Sequence, residues 1–275
     1  MKLAAMNITY KYYPLEYFLD SVQRLNFDQI ELWAGEPHLF VYRNLLHKLR
    51  YIRNEINSRG LSLACYTPEQ CVYPYNLAAS NEDWRKQSVA YFKENILAAC
   101  ELDAKKMLVT SGIGDYSISH DESWKYACES INELSHLAVK EGITLVLEPL
   151  TYLETNLVMN RHHIRKMLDE VNSPNLKAMI DVVAMDLENE TVDDYFDLFG
   201  NDLVHFHLMD GDHYSDAHLS IGEGVLPIKK YINELKENNY TGTCTLEIMD
   251  NTSYLNPENS LRNSVYFLNK TLNGV

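Results

Sequence analysis

Eight short apolar runs recur along the chain and alternate with amphipathic segments, and this alternation restricts the fold more than any other feature. The runs occupy residues 3–9, 29–34, 61–67, 106–111, 144–150, 178–183, 204–209 and 244–249. They are continuous in Val, Ile, Leu and Met instead of alternating strictly with polar residues. Such continuity is typical of parallel strands that are covered on both faces. We therefore predict eight parallel strands.

The segments between these runs carry the three- and four-residue spacing of helices with one apolar face. Pro227 favours the start of the last such helix. Gly60 and Gly142 favour helix ends just before the third and fifth strands. The predicted apolar faces comprise Val89, Phe92, Ile96, Leu97 and Cys100; Ala127, Ile131, Leu134 and Ala138; Ile164, Met167, Leu168 and Val171; and Ile228, Tyr231, Ile232 and Leu235.

Eight strand–helix units in 275 residues are typical of a single (β/α)8 TIM barrel in the α/β class. A doubly wound open sheet is the main alternative. That fold requires a glycine-rich phosphate turn after the first strand, and residues 7–13 contain no glycine. Because no Gly/Ser-rich linker divides the chain, we predict one domain over residues 1–275.

Composition excludes several classes of protein. The 24 Lys and Arg residues against 39 Asp and Glu residues give a formal net charge of −15, which disfavours general binding to nucleic acid. No apolar run approaches the roughly 18 residues that a membrane-spanning helix needs. The first 13 residues lack the long apolar segment of a secretion signal, so we expect a cytoplasmic protein without a membrane partner.

The five cysteines are odd in number and form no CxxC motif. Cys100 and Cys128 fall on predicted apolar helix faces. We therefore interpret the cysteines as reduced residues of the core or the cavity wall. They are Cys65, Cys71, Cys100, Cys128 and Cys244.

Ionisable residues lie at the ends of the last four predicted strands, inside apolar runs where an isolated charge is costly to bury. Because barrel active sites lie at the carboxyl ends of the strands, these side chains are expected to share one arc of the rim. The residues are Glu148, Asp181, His207 and Glu247.

A divalent cation removes the repulsion that three neighbouring carboxylates would otherwise suffer. Three oxygen ligands and one imidazole favour Mn²⁺, with Co²⁺, Mg²⁺ and Zn²⁺ as alternatives. Open coordination positions accept the oxygens of a substrate. His205 faces the same side as His207, and we interpret His207 as the ligand and His205 as a hydrogen-bonded residue beneath it.

Four further polar or aromatic residues follow the second and third strands and are predicted to line the mouth of the barrel as substrate contacts. They are Trp33, His38, Tyr66 and Glu69. Packing is the alternative role for Trp33, and an ordinary loop position is the alternative for His38.

Several segments resemble the sugar-phosphate isomerase/epimerase family of xylose isomerase-like barrels over essentially the whole chain. The segments include CYTPEQCVYPYN at 65–76, LVLEPLTYLETNLV at 145–158, MIDVVAM at 179–185, HFHLMD at 205–210 and TLEI at 245–248. Within the family, the sequence is most similar to the fructoselysine 3-epimerases.

The resemblance implies roles for particular residues. In the related ketohexose 3-epimerases, the positions of Glu148, Asp181, His207 and Glu247 hold the metal, and that of Glu154 binds substrate. Those enzymes have an arginine at the position of His213, which is therefore a second candidate substrate contact. They have a histidine at the position of Ala184, and the small residue here is shared with fructoselysine 3-epimerase.

The resemblance also implies an activity. We expect a metal-dependent isomerase that inverts carbon 3 of a 2-ketose or of a fructoselysine-type ketosamine through an enediolate. Glu148 and Glu247 serve as acid and base in this scheme. A homo-oligomer, dimer or tetramer, is the family expectation.

Four alternatives remain at this point. A ketohexose 3-epimerase of the tagatose or psicose type is the first, and another sugar isomerase of the family is the second. An endonuclease IV-like nuclease is the third, but it needs further histidines after the third and fourth strands, where residues 64–66 and 110–112 have none. The fourth is a non-catalytic sugar-binding barrel, which would need no metal.

Overall fold

Eight parallel strands close into a barrel in sequence order, with the first strand paired to the last, which confirms the predicted TIM barrel. The computed structural model describes residues 1–41, 45–71 and 74–273. Val72 and Tyr73 of the segment at 65–76 therefore lie outside the described residues. The strands are β1 (Lys2–Met6), β2 (Gln29–Ala34), β3 (Ser62–Pro68), β4 (Lys106–Val109), β5 (Thr144–Leu147), β6 (Leu176–Asp181), β7 (Leu203–Leu208) and β8 (Thr243–Leu246).

Helices surround the barrel and bury their apolar faces against it. They are α1 (Leu15–Arg24), α2 (Leu46–Ser58), α3 (Glu82–Glu101), α4 (His120–Glu141), α5 (Arg161–Val171), α6 (Val182–Leu187), α7 (Val192–Phe199), α8 (Ile228–Glu237) and α9 (Pro257–Asn273). Gly142 ends α4 at a φ of 69°, as predicted, because glycine adopts this left-handed conformation without a Cβ clash. No helix in the described ranges is long and apolar enough to cross a membrane.

Several strands end before the apolar run does, so the predicted strand ends at 150, 183 and 249 are wrong. The carboxylate of Asp181 accepts hydrogen bonds of 2.9 Å from the backbone N–H groups of Val183 and Ala184, and this cap starts α6. Residues 7–10 likewise form a 3₁₀ turn and not the end of β1. The early endings place Glu148 and Glu247 immediately after β5 and β8, at the rim.

The prediction for part of one helix face, including Cys100, is wrong. In α3, Val89, Phe92 and Ile96 are buried, but Leu97 is 45% exposed and Cys100 is exposed. The buried stripe also contains Ser88, Tyr91 and Asn95, which turn the face away from positions 97 and 100. Cys65 and Cys244 are buried and Cys128 is half-buried, whereas Cys71 is exposed but lines the cavity described below, as expected of a wall residue.

The inside of the barrel has an apolar half and a polar half. Cys65, Leu108, Val146 and Met179, from β3 to β6, form a buried cluster on one side. Buried polar side chains from β2, β7 and β8 fill the other side. The candidate site lies above this interior, at the carboxyl ends of the strands.

Candidate active site

The structure brings together the four ionisable residues that the sequence placed at the ends of β5 to β8. One potential ligand atom from each side chain lies within 4.8 Å of those from the other three, and all four residues are buried. Two intervening strands separate β5 from β8, so the two glutamates reach this space from different parts of the rim. The four residues, called here the rim cluster, are Glu148, Asp181, His207 and Glu247.

Two atoms of the rim cluster are buried without a hydrogen-bond partner. The Nδ1 atom of His207 lies 2.9 Å from Glu148 Oε1 and 2.9 Å from Glu247 Oε2, but neither contact has hydrogen-bond geometry. Asp181 Oδ2 also lacks a partner, although Oδ1 caps α6. Because an unsatisfied buried polar atom costs stability, this donor set fits a divalent cation that would satisfy both atoms.

Burial perturbs the charges of the rim cluster. Burial, aided by Glu247 and Glu31, raises the pKa of Glu148 to about 7 despite the charge of His207. Burial, together with the charges of Glu247 and Glu148, raises the pKa of Asp181 well above its usual range. Burial also opposes ionisation of Glu247, but His207 outweighs it and lowers that pKa. Full ionisation of the three carboxylates is therefore unfavourable unless a cation compensates their charge.

A further buried carboxylate, that of Glu31 in β2, supports the rim cluster from below and was missed by the sequence analysis. Its Oε1 lies 3.1 Å from His207 Nε2, and its Oε2 lies 2.7 Å from His205 Nε2. His205 thus occupies the predicted hydrogen-bonded position beneath His207. The signal was present in the sequence, because Glu31 is also an isolated charge inside an apolar run.

A cavity of about 230 Å³ opens above the rim cluster. Trp33, Glu69 and Glu154 line it, as predicted for substrate contacts, and Ala184 lies in its wall. Trp33 Nε1 donates a 2.6 Å hydrogen bond to Glu69 Oε2, which fixes the indole ring. Trp33 packs with Ile8 and Met249, so this side of the cavity is apolar.

Two predicted substrate contacts, Tyr66 and His38, lie outside this cavity. Side chains alternate along a strand, and Tyr66 points outward to α3, where its hydroxyl donates a 2.6 Å bond to Asn95 Oδ1. His38 is buried, with Nδ1 2.7 Å from Asn7 Nδ2 and Nε2 2.8 Å from the carbonyl of Tyr13. Both rings hold the scaffold, so their assignment to substrate binding is corrected.

His213, a predicted substrate contact, also lies outside the cavity. The histidine that lines the cavity is His218. His213 Nδ1 is 2.6 Å from Asp186 Oδ2, and its side chain is 43% exposed. Five residues further on, His218 lines the cavity, with Nδ1 buried, unpartnered and 3.6 Å from Glu247 Oε2. Asp216 lines the cavity beside it.

The loop over residues 210–226 folds back across the rim and positions His218. The Asp210 carboxylate accepts hydrogen bonds of 2.9 to 3.0 Å from the backbone N–H groups of Gly211, Gly222 and Leu226. The carbonyl of His218 accepts a 2.9 Å bond from Met249 N, which ties the loop to the chain after β8. These bonds hold the loop as a rigid wall of the cavity.

Comparisons with known proteins agree with the fold. Residues 19–271 match the family model described as xylose isomerase-like TIM barrel. The chain is 32% identical to fructoselysine 3-epimerase of Escherichia coli O157:H7 over 93% of this chain and 92% of that protein. It is 26% identical to D-psicose 3-epimerase of Agrobacterium fabrum over 87% and 83% of the two chains.

Solved structures show the same fold. The D-psicose 3-epimerase of Clostridium cellulolyticum H10, crystallised with D-tagatose, superposes with a TM-score of 0.81 and 19% identity over 99% of each chain. A D-tagatose 3-epimerase-like protein gives a TM-score of 0.82 at 20% identity, over 99% of this chain and 100% of that one.

Proposed function

Because this chain belongs to the xylose isomerase-like TIM barrel family, we propose that it is an isomerase that inverts carbon 3 of a 2-ketose or of a fructoselysine-type ketosamine. The convergence of the rim cluster beneath one cavity is the observation that carries this proposal. The relatives named as sugar 3-epimerases cover most of the chain and supply the reaction type. We further expect a cytoplasmic homo-oligomer, dimer or tetramer, with a small sugar as its partner.

The residues that would hold a divalent cation are Glu148, Asp181, His207 and Glu247, and Mn²⁺ suits their oxygen-rich donor set. When bound, the cation stabilises the negative charge that develops on neighbouring substrate oxygens. The two unpartnered atoms, His207 Nδ1 and Asp181 Oδ2, are the contacts that this assignment explains.

Inversion at carbon 3 requires removal of a proton next to a carbonyl and its return on the opposite face. Glu148 and Glu247 enter the site from different strands, each 2.9 Å from the same imidazole nitrogen, and the proposal places them on the two faces of the substrate. In the proposed mechanism, one carboxylate takes the proton and the other delivers a proton to the enediolate. The configuration of the substrate decides which glutamate acts as the base.

The charge of the cavity restricts the substrate. Six carboxylates line it, and the described lining residues include no lysine or arginine. Such a cavity disfavours phosphorylated sugars and favours neutral or positively charged ones. The carboxylates belong to Glu69, Glu148, Glu154, Asp181, Asp216 and Glu247.

Ala184 in the cavity wall favours a substrate that carries a substituent on carbon 1. We predict that Ala184→His lowers kcat/KM for fructoselysine by about tenfold or more, because the imidazole fills the space. The value for free D-psicose should change less. The measurement is kcat/KM for both sugars. Ala184→Ser is the control, because serine changes the residue but adds little volume. An unchanged ratio in the histidine variant would reject the steric explanation.

His218 is proposed to bind a substrate hydroxyl through its unpartnered Nδ1 atom. His218→Ala should lower kcat/KM by about tenfold, because the variant loses one hydrogen bond to the substrate. His213→Ala is the matched control, because His213 lies on the same loop but outside the cavity. Equal losses in the two variants, measured by steady-state kinetics, would contradict this assignment.

The second candidate function is a ketohexose 3-epimerase, which the D-psicose 3-epimerase relatives favour. A substrate screen in D₂O separates the two candidates. Proton NMR then follows deuterium uptake at carbon 3 of fructoselysine, D-psicose and D-tagatose, with and without chelator. Preference for fructoselysine supports the first candidate, and preference for a free ketohexose supports the second.

A further inference from the structure

Glu31 lies at the centre of the barrel and makes contacts to four side chains from three strands. It is fully buried. Its Oε1 accepts hydrogen bonds from His207 Nε2 and from the Thr67 hydroxyl. Its Oε2 accepts hydrogen bonds from His205 Nε2 and, at 2.6 Å, from the Thr245 hydroxyl. Both oxygens therefore act only as acceptors. Glu31 has no role so far in the proposed catalysis or in cation binding.

The hydrogen position on His205 follows from its other neighbour. Lys106 Nζ lies 3.4 Å from His205 Nδ1 and donates a 3.0 Å bond to the carbonyl of Val204. Because an ammonium group can only donate, Nδ1 of His205 is the acceptor. The ring hydrogen of His205 is then on Nε2, where it faces Glu31 Oε2.

His207 faces the other oxygen of Glu31 in the same manner. His207 must be neutral to bind a cation, and with its one ring hydrogen on Nε2 toward Glu31, the lone pair on Nδ1 faces the carboxylates of the rim cluster. We propose that Glu31 is the positioning residue that fixes this tautomer and orientation of His207, and so makes Nδ1 the metal-ligand atom. This inference rests on the proposed function, since it assumes that the rim cluster binds a cation.

Glu31→Gln is the informative variant, because glutamine keeps the shape but replaces one acceptor by an NH₂ donor. His205 cannot accept from that group, since Lys106 already donates to its other nitrogen. The amide NH₂ must then face His207 and move the ring hydrogen to Nδ1. We expect Mn²⁺ affinity, measured by calorimetric titration, to fall by about 10- to 100-fold.

Two further variants distinguish positioning from a general loss of structure. Thr245→Val removes a hydroxyl from the same carboxylate but leaves both imidazole contacts, and should keep Mn²⁺ affinity within about threefold. Adding Lys106→Met to Glu31→Gln frees His205 to accept from the amide. This double variant should regain most of the lost affinity, which a merely unfolded or loosened barrel would not do.

The outcomes separate this inference from the proposed function. Wild-type protein that binds Mn²⁺ together with a Glu31→Gln variant that binds it equally well would overturn the role of Glu31 alone. Absence of Mn²⁺ binding by the wild type would overturn the proposed function and this inference with it.

A measurement on the wild type covers the case in which Glu31→Gln fails to fold. The Zn²⁺-loaded protein with ¹⁵N-labelled histidine gives the tautomer of His207 by long-range proton–nitrogen NMR. We expect the hydrogen on Nε2. A hydrogen on Nδ1 would overturn the inference.

Discussion

Glu148→Gln and Glu247→Gln should each slow epimerisation at carbon 3 by about 10³-fold or more, because an amide cannot exchange a proton with carbon. Each glutamate approaches the shared space from one side, so the remaining carboxylate can serve only one face of the substrate. Proton NMR in D₂O measures the epimer formed and the deuterium incorporated in the same sample.

Two controls keep this test specific. The Mn²⁺ content of each variant is measured alongside activity, because both glutamates are also proposed ligands and an amide oxygen can still coordinate. Glu223→Gln changes an exposed carboxylate on the loop across the rim and should leave epimerisation unchanged. Near-normal epimerisation by either Glu148→Gln or Glu247→Gln would rule out the two-carboxylate scheme.

Removal of divalent metal should have the second largest effect. Several kcal/mol of charge stabilisation would be lost, so turnover should fall by at least about 10²-fold and return when Mn²⁺ is added. Metal should also stabilise the fold, by about 2.7 kcal/mol at a free concentration of 100 times Kd. Thermal unfolding with and without Mn²⁺ measures this gain.

Asp181→Ala provides the matched comparison, because it removes one proposed ligand. We expect its unfolding temperature to respond little to Mn²⁺. Full activity of thoroughly chelated wild-type protein, or an equal Mn²⁺ response in the variant, would contradict the metal assignment.

The barrel could be predicted because each strand buries both faces, and successive residues of such a strand are therefore apolar. The ends of its strands were predicted less accurately. The run at 144–150 is apolar on both sides of Glu148 and extends to Leu150, but β5 ends at Leu147. An apolar run indicates that a segment is buried, whereas the residue at which a strand ends depends on hydrogen bonds such as those of the Asp181 cap of α6.

The rim cluster could be predicted because charges inside apolar runs need a partner, and strand order brings their ends together. Glu31 is also a charge inside an apolar run, but it lies in β2, away from the ends of the last four strands, and so it was missed. Tyr66 and His38 were assigned from their place in the sequence alone. Tyr66 lies within β3 on its outward face, and His38 lies in the loop after β2, so proximity to a strand end did not determine which way either side chain points.

His213 shows a different difficulty. It was selected by its spacing of six residues from His207, but the loop over 210–226 is long enough to carry His218 into the cavity in its place. The path of that loop depends on bonds between distant residues, such as Asp210 with Gly222. Sequence spacing does not contain this information.

A crystal grown with Mn²⁺ and measured at the manganese absorption edge tests the central claim most directly. We predict one anomalous peak within about 2.3 Å of an atom from each of Glu148, Asp181, His207 and Glu247. Four side chains that point apart, with no anomalous peak among them, would contradict the assignment.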